Sequence, residues 1–272
     1  MKNNIVLAML AHVDSGKTTL SEAMLYLSGS IRKLGRVDHK DAFLDTYSME
    51  KDRGITIFSK QAMFGWKDLD IALLDTPGHV DFSAEMERTL QVLDYAILVI
   101  SGPAGIQSHT ETVWRLLKRY NVPVFIFVNK MDIGDCQKDE IMSGIIERFG
   151  SECVDFTCET GDEFFENIAM CDEDVLEKYM DSGNIDDEDI RKLIFERKLV
   201  PCYFGSALKL DGVEEILDGL EKYTLKKEYP NEFGAKVYKV SRDDKNKRLT
   251  YLKVTGGELK AKMYIEQLDE KA

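Results

Sequence analysis

Between residues 4 and 222 the chain alternates short apolar runs with amphipathic stretches. "NIVLAML" (4–10) is a continuous apolar run of strand length, and residues 17–27 carry a helical pattern. Residues 29–54 are polar with little periodicity. "ITIFSKQAMFGW" (55–66) and "DIALLD" (70–75) predict two strands joined by a turn at Lys67–Asp68. A helix over 81–92, strand 95–101, helix 108–120, strand 122–128 and helix 138–148 follow. Strand 201–206 and helix 211–222 complete the rhythm. Apolar strands separated by helices imply a mostly parallel sheet covered on both faces, with the pair at 55–75 as an antiparallel edge.

Two regions depart from that pattern. The stretch at about 133–200 predicts a mostly helical insert, with acidic residues starting "CDEDVLEKYM" and "DDEDIRKLIFERKLV". After residue 232, "AKVYKVSRD", "KRLTYLKVTGG" and "LKAKMYIEQL" predict a three-stranded β-meander. Three strands cannot close a barrel. The expected organisation is therefore a domain over 1–225 and the incomplete start of a second over 232–272, in an N-terminal piece of a longer protein.

Composition adds limits. No apolar run is long enough to span a bilayer. The run near the N-terminus is a strand rather than a leader, because Asp14 and Lys17 interrupt it. The five cysteines have no zinc or C-x-x-C spacing and are read as reduced cytosolic thiols. Net charge is −13, which argues against general nucleic-acid binding. The charge is uneven, however. Residues 233–264 hold nine Lys/Arg against three Asp/Glu, a net of +6; with −2 on residues 265–272, this leaves −17 on residues 1–232.

The chemistry lies where strands end. "AHVDSGKTTL" (11–20) joins strand 4–10 to helix 17–27 and has phosphate-loop spacing, with Ala11 in place of the usual first glycine. Asp14, Ser15, Gly16, Lys17, Thr18 and Thr19 are its candidate phosphate-binding residues. Gly16 lets the backbone approach phosphate, Lys17 reaches the β- and γ-phosphates, and the Thr18 hydroxyl suits Mg²⁺. In "DTPGH" (75–79), Asp75 can hold a metal-bound water and Gly78 can offer its N–H to a γ-phosphate. Thr56, in "RGITI" (53–57), is placed to complete the Mg²⁺ shell. "NKMD" (129–132) supplies Asn129 for the guanine edge, Lys130 for its face and Asp132 for its ring N–H and exocyclic amine. Adenine lacks that donor pair, so the motif selects guanine. Ser206 and Ala207, in "GSALK" (205–209), close over the base.

Together these motifs resemble the translational GTPases over essentially the whole chain. Ala11 and Asp14 match the "AH-x-D-x-GKTT" form of their phosphate loop. "EKDRGITI" (50–57) and the "FGAKVYKV…RLTYLKVTGGELK" region are similar to elongation factor G and its relatives. "LGRVDHKDAFLDTYSMEKDRGITI" (34–57), "VLEKYM" (175–180) and a short insert more closely resemble the tetracycline-resistance ribosomal protection proteins. The resemblance implies a Ras-like, doubly wound α/β P-loop GTPase domain with a helical insert, followed by the start of a β-barrel domain.

It further implies GTP as substrate, GDP as product, Mg²⁺ as cofactor and a monovalent cation near Asp14. His79 would position the attacking water, as the catalytic residue, behind an apolar gate of Val13 and Ile55. Arg53 is read as a switch anchor. The implied partner is the ribosome, with Lys236, Lys239, Lys245, Lys247, Arg248, Lys253, Lys260 and Lys262 facing ribosomal RNA phosphates. A cytoplasmic monomer without membrane or DNA partners is expected. Elongation-factor-type translocation and a release-factor GTPase are alternatives within the class. A non-hydrolysing GTP-binding module and a GTPase subunit activating a metabolic enzyme are alternatives outside it.

Overall fold

The computed structural model describes residues 3–35, 60–75, 83–242, 245–265 and 270–271. The chain divides into two compact units, Met1–Lys226 and Lys227–Ala272.

The first unit is built on a seven-stranded sheet. Its strands are β1 (Asn3–Ala11), β2 (Lys60–Trp66), β3 (Leu69–Asp75), β4 (Tyr95–Ser101), β5 (Val124–Asn129), β6 (Cys153–Asp155) and β7 (Val200–Phe204). They lie in the order β2-β3-β1-β4-β5-β7-β6. Only β2 runs antiparallel to its neighbour. All residues of β4 and β5 are buried. Strands covered on both faces need such unbroken apolar runs, whereas a half-exposed strand would alternate.

The helices are α1 (Lys17–Leu27), α2 (Ser83–Leu90), α3 (Ser108–Arg119), α4 (Lys138–Phe149), α5 (Asp162–Ala169), α6 (Glu173–Ser182), α7 (Asp187–Phe195) and α8 (Val213–Tyr223). One layer of core joins Leu7 and Met9 of β1 to Leu20 and Met24 of α1 and to Ile216 and Leu220 of α8. Helix α3 packs on β1 and β4, burying Val113 and Leu117. The edge hairpin turns at Lys67, whose φ is +49°, and that turn is anchored to α8. There Asp218 accepts from the Trp66 indole at 2.7 Å and pairs with Lys67 at 2.7 Å. Among the described residues no helix is long and apolar enough to cross a membrane.

The insert holds α5 to α7 as its sequence pattern implies, but it also contributes β6, which pairs parallel with β7 at the sheet's far edge. Three residues are too short a run to register as a period, so the sequence pattern does not reveal β6. The acidic N-terminal residues of α6 do cap it: Asp172 accepts from the backbone N–H of Asp174 and of Val175.

In the second unit β8 (Gly234–Arg242) and β9 (Arg248–Gly256) form an antiparallel hairpin. Among the described residues the expected third strand of a meander is not paired with β9. β10 (Tyr264–Ile265) pairs with β11 (Glu270–Lys271), not with β9. Positive φ at Gly257 and Lys262, and a bond from Met263 N–H to Lys260 O at 3.0 Å, turn the chain where strand is expected.

Candidate functional site

The parallel strands bring the described motifs to one end of the sheet. β1 ends at Ala11, β3 at Asp75, β5 at Asn129 and β7 at Phe204, each running into one of the singled-out loops. Ligands collect at this carboxyl end because the connecting loops and helix N-termini converge there. β1 lies between β3 and β4, so the loop leaving it sits where the strand order diverges to either side.

That loop is tight. Ser15 N–H bonds to His12 O at 3.2 Å, and Asp14 and Gly16 both have positive φ, +62° and +88°. Gly16 then caps α1, with Leu20 N–H on its carbonyl at 2.9 Å. A Cβ at Gly16 would lie 2.2 Å from the Asn129 amide nitrogen, so glycine is required by both conformation and space. The N-terminus of α1 follows. The first N–H groups of a helix have no acceptor within it, the feature that attracts phosphate. Lys17 is buried and ion-paired with the fully buried Asp75 carboxylate. Thr18 and Thr19 are half-buried, as is Val13.

Asn129 joins two of the motifs. Its side-chain oxygen accepts from Lys130 N–H and Ala207 N–H, each at 2.9 Å. Its amide group donates to Ser15 O at 3.0 Å. Lys130, with φ +66°, donates from Nζ to Asp14 O at 2.6 Å. The phosphate loop, the end of β5 and the loop after β7 are thereby one hydrogen-bonded body.

Asp132 stands at the surface beside them. The neighbouring Ser206 side chain and Lys209, which is ion-paired with the carboxylate at 3.3 Å, hold it below the usual carboxylate range. An ionised carboxylate is the acceptor that a pair of adjacent N–H groups requires. Lys209 is a member of this site that the motif reading passes over, although it ends the quoted "GSALK". Ser206 and Ala207 lie on the loop after β7, where Ala207 N–H bonds to the Asn129 side chain. Thr56, Ile55, Gly78 and His79, with Arg53, lie outside the described residues.

Thr18 and Asp75 offer a hydroxyl and a carboxylate near Lys17. These are hard oxygen donors of the kind Mg²⁺ takes alongside phosphate and water. The residues present therefore fit that ion.

Residues 2–226 match the family model described as the elongation factor Tu GTP binding domain. The chain belongs to this family. By that membership residues 2–226 form a GTP-binding domain of the elongation factor Tu type. Over 98% of its length it is 34% identical to the tetracycline resistance protein TetP of Clostridium perfringens, covering 44% of that protein. It is 33% identical to elongation factor G of Ureaplasma urealyticum serovar 10, over 94% of the chain and 47% of that protein. The chain thus spans less than half the length of these curated relatives. A solved structure from Thermus thermophilus superposes with a TM-score of 0.85 at 23% identity, covering 96% of this chain and 46% of the other. At that identity the likeness speaks for the fold alone.

Proposed function

We propose that this chain is the guanine-nucleotide-binding and hydrolysing part of a ribosome-dependent factor, of the ribosomal protection type that releases tetracycline. The observation that carries the nucleotide reading is Asn129, whose three bonds join the phosphate loop to the base motif. Gly16 and the N-terminus of α1 cradle phosphate, and Ser15 and Thr19 line that cradle. Lys17 neutralises the β- and γ-phosphates. Lys130 covers one face of the guanine, Asp132 accepts from its edge, and Ser206 and Ala207 close the pocket. Thr18 and Thr56 would hold Mg²⁺ directly and Asp75 through water; when bound, the ion spreads the charge of the β- and γ-oxygens. Asp14 is the group for a monovalent cation. Gly78 senses the γ-phosphate, and His79 orients the water once the Val13–Ile55 gate opens.

The protection reading draws support from the switch sequence at 34–57 and from the similarity to TetP. Elongation-factor-G-like translocation is the second reading, favoured by a nearly equal identity to that factor. Residues 232–272 are assigned to the start of a β-barrel domain, whose basic hairpin faces ribosomal RNA phosphates. Lys236 and Lys253 stand opposite each other across β8 and β9, which doubles the positive charge at one point of the hairpin. The factor acts as a cytoplasmic monomer.

The test is GTP turnover by the full-length protein, with and without vacant ribosomes, beside His79→Ala. Ribosomes should stimulate the parent strongly, and the variant should lose about 100-fold or more of the stimulated rate, the scale of a positioned proton-transfer group. Ribosomes loaded with tetracycline should then release the drug when the parent protein and GTP are added. Tight GTP binding with no stimulation would favour a binding module or a metabolic partner instead. Stimulation without drug release would favour translocation.

A further inference from the structure

We propose that Lys209 is a positioning residue for base selection: it fixes the Asp132 carboxylate in the orientation that receives both donors of guanine. The inference rests on the guanine reading above.

Recognition by Asp132 requires two things of one side chain. It must be ionised, and both of its oxygens must face the ring N–H and the exocyclic amine together. A carboxylate on an exposed loop rotates freely unless its outer lone pairs are held. Here two neighbours hold them. Lys209 Nζ is 3.3 Å from Oδ2, and the Ser206 side chain beside the same carboxylate also favours its charged form. A carboxylate has about four lone-pair sites, so two neighbours from the protein leave room for two donors from a base.

The lysine itself starts from a rigid base. It ends the short 3₁₀ turn Ala207–Lys209, and its N–H bonds to Ser206 O at 3.0 Å. Ser206 and Asp211 exchange two backbone bonds, at 3.0 and 3.1 Å. Ala207 N–H is fixed by Asn129, and a Cβ at Gly205 would lie 2.2 Å from Asp211 O, so the segment is closed on itself. On the other side, Met131 N–H bonds to Gly205 O at 3.1 Å, tying the segment that carries Asp132 to the Lys209 loop. The pair is therefore set by backbone on both sides. An ion pair this exposed contributes little to folding, so its effect can be read on the base alone.

Inosine diphosphate separates orientation from simple coverage. Its base keeps the ring N–H but lacks the exocyclic amine. Lys209→Met keeps an apolar stem and removes the charge; Lys209→Arg keeps the charge. Each is titrated calorimetrically with GDP and with IDP, alongside thermal melts. The Met variant should lose GDP affinity more than IDP affinity, lowering the GDP-to-IDP preference about tenfold or more, the value of one charge-assisted hydrogen bond. Its melting temperature should match the parent's, and the Arg variant should recover most of the preference. Equal losses for GDP and IDP, or none, would overturn the role of Lys209 and leave the guanine reading intact. A parent that shows no preference for GDP over IDP would overturn the guanine reading and this inference with it.

Discussion

Replacing Asp132 with Asn exchanges the preferred base from guanine to xanthine. Guanine presents two donors side by side, and in the proposed site the Asp132 carboxylate accepts both. An amide in its place has one oxygen and one NH₂, so the NH₂ group opposes the exocyclic amine. Xanthine carries a carbonyl there, which that NH₂ group satisfies. Two charge-assisted bonds are worth about 1.5–3 kcal/mol each, so GDP affinity should fall by roughly 100-fold or more while XDP affinity rises. Calorimetric titration of both nucleotides checks this. Unchanged GDP binding would mean that Asp132 does not meet the base.

The second large effect is expected on stability. Asn129→Ala removes three hydrogen bonds from a side chain that is 3% exposed. The N–H groups of Lys130 and Ala207 lose their acceptor, and Ser15 O loses its donor. Each buried group left unpaired costs about 1–3 kcal/mol. A loss of roughly 3–6 kcal/mol is a large share of the roughly 5–15 kcal/mol that holds a domain together. The melting temperature should drop by about 10 °C or more, and GDP binding should fall with it, because the phosphate loop and base loop lose their common anchor. Asn129→Asp is the informative companion. It keeps the oxygen that serves Lys130 and Ala207 and sets a carboxylate oxygen against Ser15 O. It should melt above the Ala variant if the two N–H bonds dominate. A melt within about 2 °C of the parent for Asn129→Ala would show that water replaces the side chain and that the joint is weak.

The strand ends at which these residues sit are legible in the sequence. An unbroken apolar run such as β4 or β5 is followed by a loop whose chemistry is local: Gly16-Lys17-Thr18 and Asn129-Lys130-Met131-Asp132 carry their meaning in consecutive residues. The two-residue turn at Lys67 is legible for the same reason.

Relations across the chain are not. Sequence pattern assigns Asn129 to the guanine edge, yet in the fold its bonds also run to Ser15 and Ala207, residues 114 and 78 positions away. No local pattern announces that. Lys209 escapes notice because a lysine at a loop end usually marks only a solvated surface, and its relation to Asp132 emerges once β5 and β7 are neighbours. β6 escapes because a three-residue strand takes its order from β7, not from its own periodicity. The third meander strand is the opposite case: the alternation in residues 259–268 is real, but the chain turns at Lys262 before it can pair with β9.

In the proposed reading this chain holds a guanine nucleotide through the loop after β1 and the motif after β5. The most direct measurement is a calorimetric titration of the chain with GDP and with ADP in the presence of Mg²⁺. Stoichiometric GDP binding is expected, with a preference over ADP of about 1,000-fold or more, since adenine leaves the Asp132 carboxylate facing no donor. Equal affinity for the two nucleotides, or binding of neither, would contradict that reading.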